Sequence, residues 1–440
     1  MSERMRTGAS AKHAFLLCGT YHGIEEYELK KNGLRVLYHY DDTAPVAGLM
    51  VTYLVGSRHE AVGYTGATHL LEHLMFKGSK QFPPKKGVSV LDQLSEKGAL
   101  VNASTWLDRT NYYEVLPDEH FEFAVALEAD RMRNAILTEK DRAEEMPAVR
   151  SEFAYGENNA LEALDKHIWA TAYMAHPYHH STIGWQDDFE HVSIGRLQQF
   201  YDEYYWPNNA VVTVVGNIER ERVLELLYTY FGVHPRSPEP IRLPYTKEPP
   251  QSGRRFVEVI RAGTRDLVCV AYKIPEGRHA DMPALLTFGN VLAGGQTSRL
   301  HRSLVERRLC SSVQAVVMPF FDPSLLQFYA TVASGVAHER VERAILQEIA
   351  LVQSGGVTDA ELARVQSGLE TEMAFARDGL YALLSSLNEA IATGDWRFFF
   401  DLPRNVRRVT AQAVRDVAQR YLVPTTLTVG YYRGQSVETI

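Results

Sequence analysis

Apolar and polar positions along this chain follow two rhythms. Leu34–Tyr40 and Val46–Val55 are short apolar runs rich in aromatic and β-branched residues, which predicts two strands, the second buried. The rhythm then lengthens. In Gly66–Phe76 the apolar residues Leu70, Leu71, Leu74 and Met75 recur at helical spacing, and Gly78 with Ser79 marks an end, so a short helix is expected there. Further on, the pattern predicts a helix over 88–97 that stops at Gly98, a strand over 99–105 and its hairpin partner over 108–116. Helices follow over 119–134 and 139–175, and a turn after Tyr204 feeds a strand ending near Val215.

At Pro235 the pattern lapses into polar residues punctuated by Pro235, Pro238, Pro240, Pro244, Pro249 and Pro250, the composition of a semi-rigid linker. Beyond it the chain repeats itself. Met50-Val-Thr-Tyr-Leu-Val-Gly-Ser-Arg-His59 is echoed by Cys269-Val-Ala-Tyr-Lys-Ile-Pro-Glu-Gly-Arg-His279, and Val192 and Pro207 are matched by Val409 and Pro424 at one offset, 409 - 192 = 424 - 207 = 217. A period this long means a duplicated domain. The expected organisation is a first domain over 1–234, a linker over 235–252 and a homologous second domain over 253–440. Each is an α+β unit in which helices pack on one face of an antiparallel-rich sheet.

Composition removes several classes of function. A net charge of -8 without a long basic run argues against a nucleic-acid surface. No stretch approaches the apolar length of a membrane span, so a soluble chain of bacterial periplasm or cytoplasm is expected. Three widely spaced cysteines, Cys18, Cys269 and Cys310, imply neither a disulfide framework nor a thiolate metal site.

The chemistry concentrates in the predicted short helix, which reads His69-Leu-Leu-Glu72-His73. Residues four apart on a helix lie one turn above each other, so His69 and His73 can meet at one metal ion. Glu72 adjoins them without having to be a ligand, which suits a general base. A catalytic zinc ordinarily takes three protein ligands. Glu145 and Glu152, two helical turns apart, present carboxylates on one face, although taken alone such a pair reads as a solvated charged face. Pro147 between them interrupts or kinks a helix at that point. His176, His179, His180 and His191 form a second histidine-rich stretch, whose loop-like Pro177-Tyr178 context predicts surface histidines rather than another metal site.

The set His69-Leu-Leu-Glu72-His73, Asn102-Ala-Ser-Thr105, Glu145 and Glu152 resembles the inverted-motif zinc peptidases of the pitrilysin family, closest to the bacterial and mitochondrial processing-peptidase type. The resemblance implies one Zn2+ per chain held by His69, His73 and Glu152, with Glu72 as general base and Glu145 supporting the ligands from behind. It also implies an edge strand at Asn102, Ala103, Ser104 and Thr105 that pairs with an extended substrate, and two domains forming half of a clamshell chamber.

In this family an Arg and a Tyr downstream of a Ser-Arg-Leu segment stabilise the oxyanion. Here Ser298-Arg299-Leu300 is followed by Val305 and Ser312 at those places, and Arg307 and Arg308 nearby have no tyrosine seven residues on. The expected function is therefore a zinc metalloendopeptidase subunit acting on peptides or unfolded polypeptides, paired with a homologous subunit that supplies the Arg and Tyr. The alternative is a catalytically inactive structural or peptide-binding subunit of a larger complex.

Overall fold

The computed structural model describes residues 13–83 and 88–435; the outer ends of the two expected domains, 1–12 and 436–440, lie outside them. Strands β1 (Phe15–Tyr21), β2 (Ile24–Leu29), β3 (Leu34–Tyr40), β4 (Val46–Tyr53), β5 (Leu100–Thr105), β6 (Thr110–Pro117) and β7 (Ala210–Gly216) form a sheet in the order β1-β2-β3-β7-β4-β6-β5. Strands β8 (Arg255–Ala262), β9 (Asp266–Ile274), β10 (Cys310–Val317), β11 (Ser324–Val332) and β12 (Leu427–Gln435) form a second sheet, β10-β11-β9-β12-β8. Pairing is antiparallel except at β3/β7 and β8/β12.

The duplication is visible in this topology. The run β3-β7-β4-β6-β5 of the first sheet has the same order and the same single parallel pair as β8-β12-β9-β11-β10 of the second. The spacing agrees as well. The helix Ile194–Tyr204 and strand β7 recur as the helix Ala411–Tyr421 and strand β12 at 411 - 194 = 427 - 210 = 217.

By spatial contact the chain forms two units. The first contains residues through Ser151, then Ser181–Tyr245 and Ala376–Ala392; the second contains Glu152–His180, Thr246–Phe375 and the chain from Thr393 onward. Two segments are thus exchanged relative to a simple division at 235–252.

In the first unit, Leu49, Val51 and Tyr53 of β4 with Val212 and Val214 of β7 bury one sheet face against Phe121, Ala124 and Val125 of the helix Phe121–Asn134. The alternate residues Met50, Tyr113 and Val215 point to the other face, where the exchanged helix Leu380–Ala392 covers them with Leu384. A single helix on the second face thus adds to the one-sided layer expected from the sequence. Each apolar side chain so buried contributes roughly 1.5–3 kcal/mol.

The second unit repeats the scheme. Val268, Val270 and Phe328 pack on Leu285, Phe288 and Leu292 of the helix Met282–Ala293. The opposite face carries the exchanged helix Ala160–Ala172, fitted so closely that a Cβ on Gly430 would come within 2.6 Å of Ile168. Partly buried Asp165 secures this helix, accepting from Gln327 Nε2 at 2.7 Å, Trp169 Nε1 at 3.1 Å and the Tyr329 hydroxyl.

The single helix expected over 139–175 is two helices, Glu139–Asn158 and Ala160–Ala172. The break has a local cause: the Asn159 side chain accepts from the Leu161 and Glu162 amides and so caps a new helix. Pro147, by contrast, does not end the first helix, which continues through it.

The proline-rich segment contributes a fixed point of its own in the second unit. Glu248 accepts from the amides of Met174, Ala175 and His176 and from Lys273 Nζ at 3.0 Å. Burial alone would raise its pKa, but the Ala175 amide, Lys273 and the His176 amide outweigh it and hold the carboxyl down to about 2. A depressed carboxylate stabilises the fold above its unfolded pKa, and that contribution is lost as pH falls through the folded value. Glu248→Gln is therefore expected to lower the urea midpoint at pH 7 and to lower it by much less near pH 2.5, within the window between the unfolded and folded values. Equal loss at both pH values would contradict the assignment.

Candidate metal centre

The inverted motif lies on the helix Ala67–Leu74, which buries Ala67, Thr68, Leu70, Leu71 and Leu74 and turns His69, Glu72 and His73 to the half-buried side. Its start is fixed by close packing. Gly66 sits at φ +84°, and a Cβ there would approach the Ile183 carbonyl oxygen to 2.3 Å; Gly184, at φ +78°, is pressed equally closely against Thr65.

Two carboxylates satisfy the free amides of this turn. Glu60 accepts from Gly66 N and Thr68 N, both at 2.7 Å, and Asp188 accepts from the Gly63 and Thr65 amides and from the Thr65 hydroxyl. Burial pushes the Glu60 carboxyl up to about 8 against the pull of these hydrogen bonds. Gly66→Ala combines left-handed strain with a backbone clash, so it is expected to cost on the order of 1–3 kcal/mol and to lower the thermal midpoint; an unchanged midpoint in a melting scan would contradict this reading of the turn.

On the helix Glu139–Asn158, Glu152 directly follows the portion that belongs to the first unit. Ligating atoms of His69, His73 and Glu152 all lie within 4.8 Å of one another, and among the described residues no other cluster of three or more potential metal-binding side chains occurs. Two imidazoles and a carboxylate are a donor set suited to zinc in a catalytic site, with room for water.

Behind them Glu145 accepts from His73 Nδ1 at 3.1 Å and pairs with Lys77. Donation from Nδ1 leaves Nε2 of His73 to carry the lone pair. Burial raises the Glu145 pKa, but the Lys77 and His73 hydrogen bonds prevail and hold it below the usual carboxylate value. Glu72 receives a 2.5 Å hydrogen bond from the Thr105 hydroxyl. That bond brings the last residue of β5, the outer strand of the first sheet, to the acid of the motif. Along β5, Asn102 is exposed, Ala103 buried and Ser104 partly buried, and the Asn102 side chain accepts from the Ala103 amide at 2.9 Å.

The second histidine-rich stretch corrects an expectation. His176 and His180 are buried rather than on the surface, at 6% and 2% exposure. His176 packs against Tyr173 and Tyr178, accepts from the Tyr178 amide through Nδ1 and meets Asp322 through Nε2. Sequence reasoning also passed over Lys77, which lies just beyond the end of the motif helix and reaches back to Glu145. Glu60, in the turn before the motif helix, and Asp188, more than a hundred residues downstream, left no periodic signal.

A protein built from two copies of one α+β topology, with a His-His-Glu cluster that includes the inverted motif of the first copy, has the arrangement expected of the inverted-motif class of metallopeptidases. The comparisons place it more narrowly. The family description "Insulinase (Peptidase family M16)" matches residues 35–185, and "Peptidase M16 inactive domain" matches 191–369. The chain is 31% identical to the zinc protease PqqE of Helicobacter pylori, over 84% of this chain and 86% of that one. It is 25% identical to the probable mitochondrial-processing peptidase subunit beta of Schizosaccharomyces pombe, over 89% and 87% of the two chains. The crystal structure of a protease from Helicobacter pylori superposes with a TM-score of 0.87 at 27% identity, covering 93% of this chain and 99% of that one. The chain belongs to peptidase family M16. No helix among the described residues is long and apolar enough to cross a membrane.

Proposed function

We propose that this chain is the zinc-binding subunit of an endopeptidase for peptides or unfolded polypeptides. The observation that carries the reading is the convergence of His69, His73 and Glu152 within 4.8 Å, with Glu72 between the two histidines in sequence. His69, His73 and Glu152 would hold one zinc ion, and the name of the Helicobacter pylori relative supports that choice of metal. Zinc bound there supplies Lewis acidity for a water and for the scissile carbonyl.

The remaining work falls to the protein. Glu72 accepts the proton of the attacking water and returns it to the leaving amine. Glu145, neutralised in part by Lys77, keeps the His73 ring in one orientation. Asn102, Ala103, Ser104 and Thr105 offer the outer strand on which an extended backbone can pair, which favours unfolded over folded substrates. Val305 and Ser312 stand where the family places its oxyanion donors, so a homologous subunit carrying the Arg and Tyr completes the site. Relationship to a processing-peptidase subunit supports that division of labour.

Hydrolysis of an unstructured fluorogenic peptide, its loss with a chelator and its return with zinc would bear out the reading. Binding of the intact peptide with no cleavage in either metal state, with and without a homologous partner, would replace it with a peptide-binding or structural role.

A further inference from the structure

The Thr105 hydroxyl joins the outer strand to the base Glu72, and the end of β5 that carries it is held by a buried side chain. Arg109, in the turn between β5 and β6, donates from Nη1 to the Ser104 carbonyl at 2.9 Å, to the Ser104 hydroxyl at 2.6 Å and to Asn111 Oδ1 at 3.0 Å. The Ser104 hydroxyl in turn donates to Asn111 at 2.6 Å. The rest of the guanidinium is engaged by Glu389, which accepts from Nε at 3.1 Å and from Nη2.

Glu389 belongs to the exchanged helix Leu380–Ala392, and that helix is itself tied to the sheet beside it. Thr52 of β4 donates to Asn388 Oδ1 at 2.8 Å, and Asn388 Nδ2 donates to Glu389 at 3.1 Å. The Arg109 side chain is 9% exposed and its partner 51% exposed. A buried arginine whose Nη1 reaches both the carbonyl and the hydroxyl of Ser104, and Asn111 on the neighbouring strand, fixes that end far more narrowly than backbone pairing with β6 alone.

We infer that Arg109, oriented by Glu389, is a positioning residue for the peptidase reaction: it fixes Ser104 so that the adjacent Thr105 hydroxyl meets the Glu72 carboxylate. The exchanged helix thereby governs the base from outside the motif. This inference rests on the proposed peptidase function, and its effect on catalysis runs through Thr105 alone.

That path can be tested by a double-mutant cycle on the zinc-loaded chain assembled with a homologous subunit carrying the Arg and Tyr, using an unstructured fluorogenic peptide. A hydrogen bond to a charged group is worth enough that Thr105→Val is expected to lower kcat about tenfold; Arg109→Lys, which keeps the charge and loses the fork, about fivefold; and Glu389→Gln about threefold. KM, zinc content and melting temperature stay near wild type. Added to Thr105→Val, neither Arg109→Lys nor Glu389→Gln lowers kcat further, because both act through the bond already removed. Multiplying effects, or a wild-type kcat in Arg109→Lys, would overturn the inference. Because Glu389 is half exposed, Glu389→Gln reads the same path should the Arg109 variant fold poorly. An inactive wild-type assembly would instead overturn the peptidase function, and any catalytic role of Arg109 with it.

Discussion

Glu72→Gln is expected to lower peptide hydrolysis about 10³-fold while leaving the bound zinc in place, within the range typical for loss of a general acid–base. The side chain keeps its length and can still accept the 2.5 Å hydrogen bond from Thr105, so the local structure is conserved and only the capacity to take a proton is lost. Metal content and kcat/KM measured together separate the roles. Retained zinc with lost activity identifies a base. Joint loss of zinc and activity would make Glu72 a ligand, and near-normal turnover would remove it from the mechanism.

The second large effect concerns the oxyanion. Val305 closes the short helical turn His301–Val305 and has no side-chain donor to offer. Ser312 lies in β10 with its hydroxyl donated to Thr331 Oγ1 at 2.9 Å. Arg307 and Arg308 follow on an exposed turn in which Arg308 adopts φ +57°. Loss of one oxyanion donor ordinarily costs about 10²–10³ in rate, so adding a homologous chain with the Arg and Tyr is expected to raise turnover by at least that factor. The rate should saturate at one partner per zinc chain. Full activity of the purified single chain would place the donors among its own residues, with Arg307 and Arg308 the first to substitute.

The repeated fold was legible because duplication writes itself into spacing: the offset of 217 read from Val192 and Pro207 coincides with the helix and strand boundaries of the second unit. The proximity of His69 and His73 was legible from helical periodicity, whereas Glu152 entered through the family resemblance; the three side chains do converge. What periodicity does not carry was missed. The exchange of the helices Ala160–Ala172 and Leu380–Ala392 is a tertiary event, prefigured only by strand glycines such as Gly48 and Gly430 that leave room for leucine and isoleucine side chains. Asn159 breaks a helix through its side-chain cap, a local competition that outweighs the helical pattern on either side. His176 and His180 read as surface residues because a proline lies between them, yet aromatic packing buries the first and the fold closes over the second. Arg109 carried no signal at all: its partners Ser104 and Asn111 are near in sequence, but Glu389, which orients it, lies 280 positions away.

The central claim is that His69, His73 and Glu152 form one zinc site. Anomalous diffraction at the zinc edge from crystals of the zinc-loaded chain tests it most directly. One peak per chain, within bonding distance of all three side chains and absent from His73→Ala crystals, is the result this account predicts. A peak elsewhere, or none at this cluster, would contradict it.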